Sequence, residues 1–442
     1  MISKTFILLL CFALCVREAD AQQFNKAKLD SFLNTLTEYN EAMGSVAISR
    51  NGKLLYEKAA GYSYIHDDEK TAATPRTKYR IASITKLYTA TMIFQLIDEN
   101  KLTPGTTLDT YFPEVPNAKI ITIGELLNHR SGLHNYITSL SWRLGPKSEN
   151  ELLAMIAMSK PDFTPDSTTD YSNTNYWLLG FIIERICKMT YAEALQARIV
   201  AKLGLKETYY GGKTDIKNNE SFSYTFDGEK WDRMPETDMS LLCGAGAILA
   251  TPTDETKFIE GLFGGKLVSP KSLLEMTSVD ERHGIGMASI PFLYHNGFGH
   301  TGHVDGFYSV LCYFPEDSLA VALCDNGHVY DLNNILIGIL AIYFDSRYTI
   351  PDFKAMLDYN TAHLDEYAGT YSSKDVKLKI TITKNKTILR GQATGQRSFP
   401  LTPIGKNKFR YDPSDIEMDF NTTTHVMVNK QAGMTFIFTR DN

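Results

Sequence analysis

The sequence predicts an α+β fold: an antiparallel sheet flanked by helices plus a helical subdomain, followed by a small all-β C-terminal domain. The first observation is a hairpin pattern at 44–63, where Asn51-Gly52 interrupts alternating apolar residues. The second is helical apolar spacing from 83 to about 205, and the third is the return of strand patterns after 284. An early hairpin and late strands separated by helices indicate one sheet that distant segments close.

The elements follow in order along the chain. A polar amphipathic stretch over 24–42 precedes the hairpin. Two helices, each starting at a Thr-Pro or Ser-Pro pair, occupy 252–278. The other predicted elements are helices at 83–102, 121–129, 150–158 and 173–189, strands around 284–294, 306–313 and 319–325, and a closing helix at 333–344.

The tail has a different pattern. From about Asp365 the apolar period changes to two residues, which predicts short strands joined by turns and hence a small meander or barrel. We predict a main domain over 22–349, a linker over 350–366 and a small β-barrel-like domain over 367–442.

The first 21 residues have the pattern of a signal peptide. Lys4 gives a positive start, 6–16 is an apolar run, and Ala19-Asp20-Ala21 is a small-x-small cleavage site. The run is shorter than the about 20 residues that span a bilayer. We therefore predict an exported protein, periplasmic or secreted, with no transmembrane segment after cleavage.

Composition excludes some classes of partner. The formal net charge is −6 and there is no basic block, which argues against nucleic-acid binding.

After the leader four cysteines remain, and an oxidising compartment would permit two disulfides. Their apolar surroundings favour free buried thiols instead. These cysteines are Cys187, Cys243, Cys312 and Cys324.

Several kinds of site are absent from the sequence. There is no G-x-S-x-G nucleophile elbow and no H-E-x-x-H zinc motif, and the ten histidines are scattered. Neither a P-loop nor a dinucleotide fingerprint occurs. We predict a protein that uses no metal and no cofactor.

Ser83 and Lys86 form the first candidate pair. If a helix begins at or just before Ser83, the two side chains share one face, one turn apart. The helix N-terminus favours a developing negative charge, and burial can lower the pKa of a lysine until it accepts the serine proton. Alone, serine-x-x-lysine is a weak pattern, and a helix cap beside a snorkelling lysine is the structural alternative.

Two further segments support the pair. Tyr171 lies on a turn before an apolar helix, where a nearby ammonium can lower the phenol pKa below about 10 and make it a proton shuttle. Asn173, two residues on, can point the same way on an extended segment and bind a substrate amide. His300, Thr301 and Gly302 precede a predicted strand pair, with a glycine that lets a substrate backbone approach.

Competing matches exist for both segments. Tyr294-His295-Asn296 repeats the tyrosine–asparagine spacing, but Tyr171 is favoured because it lies on a turn, where catalytic groups are displayed. His295-Asn296-Gly297 repeats the histidine–glycine spacing but lies farther from the strand pair. The motif at 128–133, "NHRSGL", is interpreted as a turn rather than as chemistry.

The ordered set Ser83-x-x-Lys86, Tyr171-x-Asn173 and His300-x-Gly302 resembles that of the class C β-lactamase and D,D-peptidase-like serine hydrolases. The phrases "ITIGELLNHRSGLHNY", "DYSNTNYWLLGFIIERI", "GAGAILATPTDETKFIEGL" and "GHTGHVDGFYSV" are similar to recurring phrases of that family. The similarity covers roughly 30–345. The tail more weakly resembles the small, lipocalin-like β-barrel often appended to such hydrolases.

The resemblance implies a role for each matched residue. Ser83 would attack a substrate carbonyl to form an acyl-enzyme, while Lys86 and Tyr171 share the proton transfers. Asn173 would orient the acyl side chain. The oxyanion would bind the backbone N–H groups of Ser83 and His303.

One departure from the family pattern bears on the substrate. Members that hydrolyse penicillins usually carry Lys-Thr-Gly where this chain has His300-Thr301-Gly302. A neutral histidine attracts a substrate carboxylate less than lysine does. The sequence therefore favours a D-amino-acid peptidase, amidase or esterase acting on a small-molecule or peptide substrate, peptidoglycan fragments included. A true β-lactamase and a non-catalytic penicillin- or peptidoglycan-binding sensor are the alternatives.

Overall fold

The computed structural model describes residues 24–441 except 138–144, 228–229, 279–283, 355–360, 386–387, 397, 412–415 and 432–433. The predicted signal peptide and part of the predicted linker lie outside the described residues. No helix in the described part of the chain is both long enough and apolar enough to cross a membrane.

Helices and strands alternate in blocks along the chain. The helices are α1 (Lys26–Glu38), α2 (Thr85–Asp98), α3 (Ile123–Leu127), α4 (Glu149–Ala157), α5 (Asn173–Cys187), α6 (Tyr191–Leu195), α7 (Ala201–Leu203), α8 (Cys243–Gly246), α9 (Pro252–Phe263), α10 (Pro270–Thr277) and α11 (Leu332–Tyr343). The strands before residue 330 are β1 (Ala42–Arg50), β2 (Lys53–Ala60), β3 (Tyr62–His66), β4 (Glu69–Ala72), β5 (Tyr79–Arg80), β6 (Tyr209–Tyr210), β7 (Tyr224–Phe226), β8 (Trp231–Arg233), β9 (Ile248–Ala250), β10 (Ala288–Ser289), β11 (Phe298–Val304), β12 (Phe307–Phe314) and β13 (Leu319–His328). The tail strands are β14 (Gly369–Ser372), β15 (Lys379–Asn385), β16 (Ile388–Ala393), β17 (Phe399–Gly405), β18 (Lys408–Tyr411), β19 (Ile416–Asn421), β20 (Val426–Gln431) and β21 (Met434–Arg440).

The main sheet is antiparallel and joins the two ends of the first domain. Its strand order is β10-β11-β12-β13-β1-β2. The β1–β2 hairpin turns at Asn51 and Gly52, both with positive φ (53° and 75°), as the sequence predicts. On its other side β1 pairs with β13, so that Val46 lies opposite Leu323. The predicted closure of the sheet by distant segments is confirmed.

Helices cover both faces of this sheet. Alternate residues of β13 face opposite ways, as the two-residue period of a strand requires. Val321 and Leu323 pack in a cluster with α1 and α11, whereas Ala322 and Cys324 pack in the cluster that holds α2, α5 and α9. The sheet is therefore the middle layer, and the helical subdomain lies on one side of it.

Helix α2 is the centre of the helical layer. Every residue from Thr85 to Leu96 is buried, because this helix is apolar around most of its circumference. A 3-10 turn at Ala82–Ile84 precedes it. Ser83 therefore lies just before the α-helix, while Lys86 lies in its first turn.

The tail forms a closed antiparallel barrel of eight strands, β14 to β21 in sequence order. It closes where β14 pairs with β21, with Tyr371 opposite Arg440. Strand β14 is short, and β17 contains Pro400 and Pro403, so the two-residue apolar period predicts neither of them. The all-β nature of the tail is confirmed; its lipocalin-like character and the domain boundaries stay predictions.

One strand prediction needs correction, and one strand was not predicted. The strand expected over 284–294 consists only of β10, Ala288–Ser289, within the described residues. His300, Thr301 and Gly302 precede the strand pair β12–β13, as predicted, but they also lie inside a further strand, β11, which pairs along its length with β12. The sequence did not predict β11, because it contains Gly299 and Gly302 and glycine is depleted in strands.

The four cysteines of the described chain are free thiols. Cys312 and Cys324 are buried, and Cys187 and Cys243 are half-buried. Cys324 donates a hydrogen bond to the carboxyl group of Glu255 (Sγ–Oε2 2.9 Å). Burial raises the pKa of Glu255 to about 8, so this carboxyl is a neutral, packed group at neutral pH.

Candidate active site

The turn that carries Ser83 is held from two sides. The N–H of Ile81 donates to Ile248 O (3.1 Å), and Ile81 O accepts from Ser309 Oγ (2.8 Å). Directly after this anchored residue, Ala82 has φ 48°, in the left-handed region that a residue with a Cβ rarely adopts. Such backbone strain persists only where the surroundings enforce it. Here they fix the half-buried Ser83 at a cavity wall.

Three predicted residues meet at the Ser83 hydroxyl. Lys86 Nζ lies 3.0 Å from Ser83 Oγ, and Tyr171 Oη donates to the same oxygen at 2.9 Å. Ser83 and Tyr171 line a cavity of about 640 Å³. This volume is within the range of about 300–1,000 Å³ typical of small-molecule sites. The structure therefore brings together one hydroxyl, one amine and one phenol beside a cavity of substrate size.

Lys86 is buried and has an unusual set of partners. Its Nζ donates to Asn173 Oδ1 (2.7 Å) and to Ala245 O (2.8 Å), and neither of these partners nor Ser83 is a carboxylate. Burial lowers the pKa of Lys86 well below its usual value. A neutral amine has two N–H groups and one lone pair. With the N–H groups on Asn173 and Ala245, the lone pair faces the Ser83 hydroxyl.

The pKa of Tyr171 shifts in the direction opposite to the one that the sequence predicts. Its ring packs against His129 (ring centroids 4.4 Å apart) in the segment just before α5. Removal from water raises the pKa of Tyr171, and the hydrogen bond with Ser83 only partly opposes this. The expected lowering below about 10 is wrong, because burial of the phenol itself outweighs the effects of its polar neighbours. Tyr171 is a neutral phenol that donates its proton.

Asn173 is placed differently from the prediction. It is the first residue of α5, not part of an extended segment. Its Oδ1 accepts from Lys86, while its Nδ2 and backbone N both donate to Asn135 Oδ1 at 3.1 Å. Its amide therefore orients the lysine. Sequence analysis missed Asn135, although it lies inside the family-like phrase at 121–136.

The "NHRSGL" segment holds a turn, as predicted, and also supports Tyr171. His129 Nδ1 accepts from the backbone N of Ser172 at 3.2 Å. Ser131 Oγ donates to Asn175 Oδ1 at 2.6 Å. These contacts fix the start of α5, and with it the position of the phenol.

Strand β11 forms the opposite wall. A Cβ on Gly302 would lie 2.2 Å from Ile81 O and 2.4 Å from Ser309 Oγ, so only glycine lets the strand pass this close to the Ser83 turn. The buried His300 ring lies 6.4 Å from that of Tyr171, measured between centroids. Thr301 and His303 line the cavity too, but their side chains alternate onto the more exposed face of the strand.

The cavity is poor in cations. Among the described residues that line it there is no lysine or arginine. Burial lowers the pKa of His303, which keeps this imidazole neutral. Asp305 is the lining carboxylate, and it is held by Thr237 through N–H (3.0 Å) and Oγ1 (2.7 Å). The wall therefore offers little attraction to an anionic substrate.

The competing motif lies outside this arrangement. His295 Nδ1 is 2.7 Å from Asp317 Oδ2, and its ring stacks on Phe344. Neither it nor Tyr294, which is exposed, lines the cavity.

Comparison with known proteins agrees with the fold. The model of the family described as Beta-lactamase matches residues 29–333. A Bacillus subtilis (strain 168) protein named as a penicillin-binding protein, PbpX, is 29% identical over 308 residues, 67% of this chain and 75% of that protein. The teichoic acid D-alanine hydrolase of Staphylococcus aureus is 29% identical over 273 residues, 61% of this chain and 64% of that enzyme.

Solved structures show the same fold. The D-amino acid amidase of Ochrobactrum anthropi SV3 superposes with a TM-score of 0.65 at 25% identity, covering 73% of this chain and 99% of that one. The octameric penicillin-binding protein homologue of Pyrococcus abyssi has a TM-score of 0.67 at 22% identity, covering 93% and 100%. The latter is a likeness of fold.

The chain belongs to the β-lactamase family. It is a serine hydrolase of the penicillin-binding-protein-like type, with a C-terminal β-barrel domain.

Proposed function

We propose that this protein is an exported hydrolase that cleaves amides or esters of D-amino acids through an acyl-enzyme on Ser83. The observation that carries the proposal is the pair of hydrogen bonds at Ser83 Oγ, 3.0 Å from Lys86 Nζ and 2.9 Å from Tyr171 Oη. Nucleophile and base within such reach are the signature of covalent catalysis by serine.

Acylation follows from this geometry. Neutral Lys86 takes the proton of Ser83 as Oγ bonds to the substrate carbonyl carbon. The backbone N–H groups of Ser83 and His303 stabilise the oxyanion, since both residues line the cavity. Tyr171, on the cavity side of the serine, gives its proton to the leaving nitrogen or oxygen as the carbonyl bond to that atom breaks, and regains a proton from Lys86.

Deacylation reverses these roles. A water molecule adds to the acyl carbon, its proton passes to the Tyr171–Lys86 pair, and the carboxylic acid leaves as Ser83 Oγ regains its proton. The net reaction consumes one water molecule, and it needs neither metal nor cofactor.

Two features support a D-amino-acid derivative with an uncharged reacting end. The similar proteins include a D-amino acid amidase and a teichoic acid D-alanine hydrolase. The described cavity wall has no lysine or arginine to attract a substrate carboxylate, and His300 stands where penicillin-hydrolysing members carry lysine. Amides and esters are therefore favoured over penicillins. The leader-like pattern at 1–21 supports export.

A substrate panel tests this proposal. D-alanine amide, a p-nitrophenyl ester of D-alanine, the matched L-alanine compounds and nitrocefin are compared by kcat/KM. The D-compounds are expected to be turned over at least ten times faster than both the L-compounds and nitrocefin. Turnover of nitrocefin with inert amides and esters would instead identify a β-lactamase. No turnover together with no phosphonate labelling of Ser83 would identify a binding protein.

Replacement of Tyr171 by phenylalanine tests the proton transfer. We expect kcat to fall about 10²-fold with KM little changed, the lower end of what a general acid supplies, because Lys86 still accepts the serine proton. Substrates with a good leaving group, such as the p-nitrophenyl ester, need less protonation and should lose less activity than the amide. Tyr176→Phe is the matched control, since its buried hydroxyl donates to Leu127 O away from Ser83. Equal losses for ester and amide would contradict the proposed role.

A further inference from the structure

A second cavity lies between the main domain and the barrel. Its volume is about 290 Å³, close to the lower end of small-molecule sites. One wall comes from α11 and the segment after it, and the other from β17 and β18. Arg390 of β16 and Asp331 at the start of α11 form an ion pair beside it (Nη1–Oδ2 3.5 Å). The cavity is thus a joint between two domains, apart from the Ser83 site.

Asn334 of α11 is the unusual residue of this cavity. It lines the cavity and is only 2% exposed. Neither Oδ1 nor Nδ2 has a hydrogen-bond partner among the described residues, although both atoms are buried. Buried polar groups are almost always matched, so each exception requires an explanation. A ligand group that supplies one donor and one acceptor would satisfy both atoms.

The other residues that line the cavity indicate which kind of molecule would carry this hydrogen-bonding group. Tyr330, Tyr348 and Tyr411 present aromatic surface, and Pro400 and Pro403 present apolar rings. Arg410 and Asp352 also line the cavity, and their formal charges are opposite, so the wall has no net charge that selects an ion. Aromatic and proline rings pack well against a flat apolar body. The primary amide of Asn334 is complementary to another carboxamide, through two parallel hydrogen bonds.

We infer that this interdomain cavity is a second ligand site, and that it binds a small neutral molecule carrying a carboxamide on an aromatic or flat apolar body. Asn334 recognises the carboxamide, and the tyrosines and prolines hold the body. The site is separate from the hydrolytic reaction and does not depend on the function proposed for Ser83.

The test uses benzamide as the probe and the full mature chain, with binding measured by isothermal titration calorimetry. Asn334→Leu, which keeps the size but removes the amide, is expected to weaken benzamide binding at least tenfold. Asn333→Leu is the matched control, because Asn333 is the exposed neighbour on the same helix turn, and it should bind as the wild type does. N,N-dimethylbenzamide, which has no N–H donor, should bind the wild type at least tenfold more weakly than benzamide does.

Two further measurements locate the site. Ile337→Trp fills the cavity while keeping Asn334, and should abolish binding even if Asn334→Leu fails to fold. Tyr171→Phe alters only the other cavity and should leave the affinity unchanged. In the absence of benzamide, Asn334→Leu should raise the melting temperature, because an unmatched buried amide is removed. Undetectable binding at millimolar benzamide, unchanged affinity in Asn334→Leu or Ile337→Trp, or a lowered melting temperature in a folded Asn334→Leu protein would overturn the proposal.

Discussion

Replacement of Ser83 by alanine is expected to lower kcat by about 10⁵–10⁶-fold, the scale on which removal of the nucleophile of a serine hydrolase is measured. No other described hydroxyl lies where Lys86 and Tyr171 converge, so nothing nearby can take its place. The melting temperature should change little, because the side chain is half-buried and small.

The measurement is single-turnover acylation with a p-nitrophenyl ester, together with labelling by a fluorescent phosphonate. Label is expected on the wild type and absent from Ser83→Ala. Ser278→Ala, a control at an exposed serine, should be labelled and turn over as the wild type does. Label that persists on Ser83→Ala would assign the nucleophile to another residue.

Replacement of Lys86 by methionine is expected to lower kcat/KM by about 10⁴-fold, the upper end of what a general base supplies. Methionine fills the same buried space but has no lone pair of nitrogen to accept the Ser83 proton. It also leaves Asn173 Oδ1 and Ala245 O without their donor. Lys78→Met is the matched control: Lys78 is also buried, but it pairs with Glu207 (Nζ–Oε2 2.9 Å) away from the cavity. Lys78→Met should lose stability and keep its kcat/KM.

The same lysine sets the pH dependence. Since burial lowers the pKa of Lys86, its catalytic neutral form prevails at lower pH than for an exposed lysine, and kcat/KM falls when acid protonates it. Between that lowered pKa and the usual value of about 10.4, the unfolded chain binds one more proton than the folded one. The free energy of unfolding of the wild type should therefore rise with pH relative to Lys86→Met, by at most about 1.4 kcal/mol per pH unit.

Denaturation at a series of pH values measures the difference in the free energy of unfolding between wild type and Lys86→Met. A pH–rate profile measures the catalytic limb, which is the fall of kcat/KM as acid protonates Lys86. A wild type and a Lys86→Met variant with parallel stability curves would show that Lys86 has an ordinary pKa. The catalytic limb should be absent from the residual activity of the variant.

Sequence patterns predicted most of what depends on local chemistry. The turn at Asn51-Gly52 and the proline-started helices α9 and α10 follow from residues that are adjacent in the chain. Ser83 and Lys86 were identifiable as a pair because one helical turn joins them. Tyr171 and His300 were candidates from their local context, but only the family resemblance placed them beside Ser83, since nothing local brings them there.

Long-range surroundings explain the misses. Asn135 acts through Asn173, 38 residues later in the chain, and its role exists only once α5 is packed. The pKa of Tyr171 was predicted from a neighbouring ammonium, but burial by the helical layer raises the pKa of the phenol and lowers the pKa of Lys86. Strand β17 was not predicted, because Pro400 and Pro403 interrupt the alternating pattern of a strand. It forms because the barrel supplies pairing partners on both sides of it, β16 and β18.

The pairing of β1 with β13 has a consequence for how activity is acquired. Strand β1 ends at Arg50, and its partner does not begin until Leu319, with the whole helical layer in between. Contacts so distant in the chain form late and slowly during folding. The cavity wall that faces Ser83 is β11, which joins the sheet on the β13 side of the β1–β13 pairing. A chain that is still being synthesised or is only partly refolded therefore has Ser83 but no enclosed active-site cavity. Recovery of hydrolysis after denaturation should consequently lag behind recovery of helical content, and the protein would stay inert throughout its own synthesis.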